Sequence, residues 1–322
     1  MAILRNRGGG TDQEGPNILL EEGMRKPIAQ LTLICVVIAL AAALAPSQEK
    51  KVNVIVFGAH PDDADGRAGG VAAKWAALGH KVQLVSVTNG DAGHQSEGGG
   101  ALARRRRAEA AECGRRLGVE YITFDNHDGE LLPTLEVRQQ VIRAIRKWNA
   151  DLVIGPRPND YHPDHRYTGI LLQDAAYMVT VPNVCPDTPA LRRNPVFMYS
   201  QDGFQKPAPF SPDVAVAIDD VAEKKIYAAD AHVSQMYEWL AWHAGRLESV
   251  PKDPAARLEW LKQTRGRGGV NPAVRASLEK RYGKETAANV KYAEAFELCE
   301  YGSRPDEQEI RRLFPFFPAQ PK

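Results

Sequence analysis

From Val52 onward, short apolar runs of strand-forming residues alternate with longer stretches of helical character, and this alternation narrows the possible folds more than any other feature. Val52 to Phe57, Val82 to Thr88, Tyr121 to Phe124 and Asp151 to Gly155 read as strands. Ala68 to Leu78 before Gly79, Ala101 to Leu117 before Gly118, and Leu135 to Trp148 read as the helices between them. Connections of this length cross over a sheet and join parallel strands. The expectation is an α/β fold with a mostly parallel sheet and helices on both faces. Tyr167 to Val179 adds a helix, Val196 to Ser200 and Val214 to Ile218 add strands, and Asp220 to about Leu247 reads as one long helix. From about Val250 the chain turns polar and ends Pro-rich, so residues 250–322 are expected to form a helical C-terminal extension packed on the sheet of residues 48–249. There are no internal repeats.

Residues 1–47 stand outside this pattern as a preface and leader. Arg25 and Lys26 precede an apolar run from Ile28 to Ala45, which ends in Ala-Leu-Ala before Pro46-Ser47-Gln48. A basic start, an apolar stretch and a small-residue boundary make a secretory signal peptide. The run is also close to bilayer-spanning length, so an uncleaved N-terminal anchor is the alternative. Either reading makes the protein exported, periplasmic or secreted, and touching a membrane only through this segment. Glu21-Glu22-Gly23 before Met24 is encodable as a purine-rich ribosome-binding sequence, so translation is hypothesised to start at Met24. N-terminal sequencing of an unprocessed variant tests this; residues found before Met24 would sink it.

The remaining composition excludes several classes. With Lys+Arg 41 against Asp+Glu 40, the net charge of +1 is not that of a strongly basic nucleic-acid binder or an acidic disordered chain. Arg265-Gly-Arg-Gly-Gly269 is a single copy in a neutral protein and reads as a loop. Four cysteines without a Cys-x-x-Cys pair exclude a disulfide scaffold and a thiolate zinc finger. Beyond the leader, Cys113, Cys185 and Cys299 allow at most one disulfide and read as small buried residues.

In open parallel sheets, ligands bind beyond the carboxyl ends of the strands. The first strand runs into Gly58-Ala59-His60-Pro61-Asp62-Asp63, and the fourth into a loop containing Asp160-Tyr161-His162-Pro163-Asp164-His165. No GxGxxG loop follows the first strand, which argues against a nicotinamide dehydrogenase, and HExxH is absent as well. Imidazoles with a carboxylate suit a divalent ion of the zinc type, and three protein ligands leave a position open for water. A second carboxylate then serves as general base and a second imidazole as oxyanion partner. Adjacent side chains leave a loop in different directions, so Asp62 and Asp63 divide into one ligand and one base. Taken singly, each feature has a bland reading: a hydrogen-bonded loop histidine, a turn, or a helix-capping aspartate. Together, on facing loops, they favour a site.

These residues resemble the GlcNAc-PI de-N-acetylase (PIG-L/LmbE-like) family of zinc deacetylases. The resemblance rests on Ala59-His60-Pro61-Asp62-Asp63 and His162-Pro-Asp-His165, and spans about residues 52–240. Thr88-Asn-Gly-Asp-Ala-Gly93, Arg106-Arg-Ala-Glu109, Asp128-Gly129 and Ala231-His232-Val-Ser-Gln235 support it. It implies a Rossmann-like sheet, zinc held by His60, Asp63 and His165, Asp62 as base, and His162 stabilising the tetrahedral intermediate. It further implies Arg106 and Asp128 near a sugar pocket, and His232 lining the site. Asp164 is expected to orient an imidazole from behind. Iron can occupy the same ligand set in the cell. The implied activity is removal of an acetyl group from an N-acetylglucosamine-type sugar or glycoconjugate. Another exported metal-dependent amide hydrolase and a non-catalytic carbohydrate-binding protein are the alternatives. His94 is expected in a mobile lid, and His80, His127 and His243 at surface or structural positions.

Overall fold

Val54 and Val56 pack on one face of a seven-stranded sheet, and their neighbours Ile55 and Phe57 on the other, so this run is apolar on both faces. The computed structural model describes residues 51–265 and 268–318, and the leader read at residues 1–47 lies outside them. In chain order the elements are β1 (Asn53–Gly58), α1 (Asp63–Ala77), β2 (Lys81–Thr88), α2 (Gly99–Leu117), β3 (Glu120–Asn126), α3 (Leu135–Trp148), β4 (Leu152–Gly155), α4 (Pro163–Met178), β5 (Val196–Ser200) and β6 (Val214–Ala217). α1 and α2 cover one face through Val71, Trp75 and Leu117; α3 and α4 cover the other through Ile142, Ile145 and Leu171. The sheet order is β3-β2-β1-β4-β5-β7-β6, β7 being Ala293–Leu298, with β1 to β5 pairing in parallel. The chain runs outward from β1 through β2 and β3, then returns to place β4 on the other side of β1. That reversal leaves a crevice between the carboxyl ends of β1 and β4, the place where such sheets bind ligands.

Two expectations need correction. The long helix read from Asp220 to Leu247 is broken: α5 (Ala222–Ala229) ends, a wide π-type turn runs from Ser234 to Trp239, and α6 (Leu240–His243) follows. The break falls where side chains turn inward. His232 Nε2 reaches Asp65 (3.2 Å), and the Ser234 N–H and hydroxyl both donate to Glu109 of α2. The C-terminal region is also more than helical. After α7 (Pro254–Thr264), α8 (Pro272–Tyr282) and α9 (Lys284–Asn289), β7 (Ala293–Leu298) enters the sheet antiparallel between β5 and β6, and α10 (Glu307–Leu313) follows. Residues beyond 250 therefore complete the sheet instead of only covering it.

β7 escapes a pattern reading because Glu294 is one of its buried residues. Its carboxylate accepts the N–H groups of Gly70 and Val71 (2.9 and 2.8 Å) and the Lys225 ammonium (2.7 Å), so the buried charge is fully paired. Gly70 also lets Ile218 pack closely against α1: a Cβ there would stand 2.9 Å from the Ile218 side chain. Cys113, Cys185 and Cys299 are free and buried. Among the described residues no helix is long and apolar enough to cross a membrane.

The C-terminal segment is fastened at Trp75. Its indole N–H donates to Leu313 O (2.7 Å), and the ring packs on Phe314 and Phe316 (centroids 5.3 and 5.6 Å). Trp75→Ala is expected to cost about 3–5 kcal/mol, read as a lowered urea midpoint. An unchanged midpoint would mean that the C-terminal segment is not part of the cooperative core.

Candidate metal centre

β1 delivers the first loop. Ala59 O is fixed by the Thr88 N–H and Thr88 hydroxyl (both 2.8 Å), and the chain then turns so sharply that the His60 N–H donates to Asp63 Oδ2 (2.7 Å). Gly58 makes the turn possible, because a Cβ there would lie 2.5 Å from Asp63 Cβ. Asp62 carries the strain, with φ 137° and ψ −13°, a conformation that costs a non-glycine residue about 1–3 kcal/mol. The Tyr121 hydroxyl of β3 steadies it by accepting the Asp62 N–H (3.1 Å).

β4 delivers the second loop. His162 caps α4, its Nδ1 accepting the Asp164 N–H (3.2 Å), and Pro163 occupies the first helical turn, where a missing N–H is harmless. Asp160 Oδ1 accepts from the His162 N–H and from His165 Nδ1, both at 3.0 Å.

The two loops bring three donor atoms together. His60 Nδ1 lies 3.2 Å from His165 Nε2, and Asp63 Oδ2 lies 3.3 Å from each. Bonds of about 2.0 Å at tetrahedral angles would put donor atoms about 3.3 Å apart, which is the spacing found. The outer nitrogens are already occupied: His60 Nε2 by Asp128 (3.0 Å) and Asp164 (3.3 Å), His165 Nδ1 by Asp160. Each ring therefore turns its other nitrogen inward, a lone pair once the ring is neutral, and is oriented by a carboxylate behind it. His162 stands further out, with a nitrogen within 4.8 Å of those of His60 and His165. The donor set and its spacing fit a zinc-type divalent ion.

The charges agree. Burial pushes the His60 imidazolium down, yet Asp128, Asp164 and Asp63 hold its pKa well above the usual value. Burial opposes the charge on His165 too, but Asp63 and Asp160 raise it to about 9. Burial would raise Asp63, and His165 and His60 instead hold it well below the carboxylate range. The trio thus demands positive charge, as protons or as a cation. At pH 7 a divalent ion must displace a proton from each imidazole, so loading is expected to release about two protons per chain. Affinity should rise with pH until His165 has titrated near 9. Calorimetry in buffers of different ionisation enthalpy measures the release; none at pH 7 would contradict the arrangement.

The two adjacent aspartates part company: Asp63 faces the histidines, while Asp62 Oδ1 lies 3.4 Å from the Arg106 guanidinium. Burial pushes the Asp62 carboxyl up, Arg106 pulls it back, and the Asp63 charge raises it again. Arg106 and Asp128 reach the site from the wall. Arg106 is buried and donates to Gly90 O and Pro61 O, and its Nη1 is 3.5 Å from Asp128. Asp164, fully buried, sits behind His60 and accepts the Gly129 N–H (2.7 Å). His232 is not placed to touch a ligand: it is 0% exposed, paired with Asp65 and packed edge-on against Tyr121. His232 thus stands behind the lining that the resemblance implies for it, not on it. Asp160 and Tyr121 were not singled out from sequence. His94 is held by Glu238 (2.9 Å), and Gln235 donates to Gly93 O, so this loop is tied down in the structure.

The sequence profile of a family described as "PIG-L: GlcNAc-PI de-N-acetylase" matches residues 55–176. The diacetylchitobiose deacetylase of Thermococcus kodakarensis is 33% identical over 199 residues, 59% of this chain and 73% of that protein. Among solved structures, the N,N'-diacetylchitobiose deacetylase from Pyrococcus horikoshii, complexed with its inhibitor MPG, superposes with a TM-score of 0.56 at 27% identity, covering 77% of this chain and 84% of that one. GalB, the 4-carboxy-2-hydroxymuconate hydratase from Pseudomonas putida KT2440, superposes with a TM-score of 0.57 at 21% identity, over 80% and 99% of the two chains. That second likeness is one of fold alone, and a fold hosts more than one chemistry.

Proposed function

Because the chain belongs to the PIG-L family, we propose that it is a metal-dependent N-deacetylase acting on the acetamide of an N-acetylglucosamine-type sugar or glycoconjugate. One observation carries the reading. His60, Asp63 and His165 converge at 3.2–3.3 Å, with an unspecialised-looking but strained Asp62 on the same turn and the His162 imidazole alongside.

A zinc ion, or ferrous iron, held by His60, Asp63 and His165 supplies Lewis acidity, lowering the pKa of water towards about 7 and polarising a carbonyl. Asp62 takes the proton from the attacking water as the new C–O bond forms. Its carboxyl, raised by burial, is a better base than an exposed one. His162 is held neutral: burial lowers its pKa, and His60 and His165 lower it further. Since its Nδ1 accepts a backbone N–H, the proton of the neutral ring belongs on Nε2, from which it donates to the carbonyl oxygen as negative charge grows there. When the C–N bond breaks, Asp62 returns its proton to the amine, leaving acetate and a free amino sugar. Arg106 and Asp128 orient Asp62 and His60, and Asp164 and Asp160 fix the two ligand rings.

The test is metal content and acetate release measured together. About one zinc or iron per chain, with acetate freed from N-acetylglucosamine or N,N'-diacetylchitobiose and lost on chelation, supports the reading. Metal without acetate from any acetamido sugar would move the activity to other amides, and no metal at all would return the two loops to a structural role. Export rests on the Arg25 to Gln48 pattern; a mature protein beginning at Gln48 supports a cleaved signal, and one retaining Ile28 supports an anchor.

A further inference from the structure

A cleft of about 390 Å³ opens beside Asp62 and Asp63, lined further by Arg67 of α1, Met236 of the wide turn, and Thr264 and Arg265 at the end of α7. The acidic and basic groups along it are mostly engaged. Asp63 faces His60 and His165, Asp65 is bonded to His232, and Lys225 is bonded to Glu294 and Gly66 O. The two arginines are less so: Arg265 pulls the Asp62 carboxyl down and Arg67 that of Asp160, in both cases without an ion pair. Arg67 gives a single hydrogen bond, to Gln201 O (3.0 Å), and neither Arg67 nor Arg265 has an ion pair among the described residues. Arg67 also lines the small cavity beside Asp63 and His165, so it stands between that cavity and the cleft.

We propose that Arg67 and Arg265 form a subsite for an anionic substituent, a carboxylate or phosphate, on the acylated amine that the enzyme hydrolyses. The inference rests on the deacetylase reading and narrows its substrate class. A neutral sugar filling this cleft would offer the two guanidinium groups hydroxyl acceptors but no compensating charge. An oxyanion accepts paired N–H donors from each, the arrangement for which a guanidinium fork is suited. Asp62 balances Arg265 only in part: it acts on Arg265 without an ion pair, and its ion-pair partner is Arg106, 3.4 Å away. The subsite also gives α7 a function: it carries Arg265 to the mouth of the centre built by β1 and β4.

The experiment compares kcat/KM for N-acetylglucosamine 1-phosphate, N-acetylmuramic acid and the neutral methyl glycoside of N-acetylglucosamine, in wild type, Arg67→Ala, Arg265→Ala and Arg265→Lys. Wild type is expected to favour an anionic substrate by about 10- to 100-fold, the value of charge-assisted hydrogen bonds lost or gained. Each alanine variant should pull that ratio towards one, and Arg265→Lys should keep part of it. Whether the phosphate or the carboxylate leads identifies the anion. A wild-type ratio near one, or a ratio that the alanine variants leave unchanged, would overturn the subsite; an equal loss on anionic and neutral substrates would make Arg265 a partner of Asp62 only. Binding of the same compounds to metal-loaded Asp62→Asn protein by calorimetry is independent of turnover. If no compound releases acetate, the deacetylase reading fails while calorimetry still decides the anion site, since a phosphate held by the metal alone would be indifferent to Arg265→Ala.

Discussion

Asp62→Asn is expected to lower kcat by about 10²–10⁴-fold while the protein still binds one divalent ion per chain. The amide nearly matches the carboxylate in size, so the turn built on the Asp62 N–H to Tyr121 and the Gly66 N–H to Asp62 O survives. Asparagine also tolerates positive φ better than most residues, so the strained backbone at φ 137° is not made worse. What disappears is the basic oxygen, and with it the acceptor for the proton of the attacking water. The pH profile separates this from damage to the fold. The proposed mechanism needs Asp62 ionised, and burial raises its pKa, so wild-type activity should fall as pH drops through a value above the ordinary 3.8. The variant should lose that acid limb along with its rate. Unchanged turnover would remove Asp62 from the reaction. Loss of the metal instead would reverse the roles of the two neighbouring aspartates.

The legible part of this protein is the part buried on both faces or concentrated in short loops. β1, β2 and β4 read as strands because helices cover both sides and force a continuous apolar run; Leu135 to Trp148 read as a helix because Thr134 caps it and Asn149 ends it in the left-handed conformation. The crevice followed from topology, since strands that alternate with helices carry their loops to one edge. β7 was illegible because Glu294, half its apparent polarity, is neutralised by Lys225, 69 residues away, and by two helix N–H groups over 200 residues away. The break after α5 was hidden for a related reason: Glu109 and Asp65, from other helices, take over hydrogen-bonding groups around His232 and Ser234. At the centre itself, side chains of two short motifs were readable from residue type. Their supports were not. Asp160 lies in the same loop as His165, but that its carboxylate would take the outer ring nitrogen depends on the turn around Pro163. Tyr121 comes from another strand, and nothing in its local sequence distinguishes it from a core tyrosine.

His165→Ala should abolish both metal retention and acetate release, the latter by more than about 10³-fold. The substitution removes Nε2, the atom that stands 3.2 Å from His60 Nδ1 and 3.3 Å from Asp63 Oδ2, and leaves two donors where three had closed the face of a tetrahedron. His162 is a poor replacement, because its Nδ1 already accepts the Asp164 N–H. The variant also separates ligation from folding. In metal-free wild type, His165 is raised from 6.5 to about 9 by Asp63 and Asp160, against burial. That interaction stabilises the fold fully below about pH 6.5 and is lost as pH rises through about 9. Metal-free wild type and variant should therefore differ in stability at pH 6 and converge above pH 9. With metal present the order of effects changes: ion binding to the folded state alone raises the wild-type Tm, and a chelator reverses it, while the variant responds to neither. Asp160→Asn provides the graded control, since it keeps all three donors and disturbs only the ring behind one of them; a 10- to 100-fold loss of metal affinity is expected there. If His165→Ala still held a full equivalent of metal and released acetate, the convergence of the two loops would be a hydrogen-bonded turn network and the reactive centre would lie elsewhere.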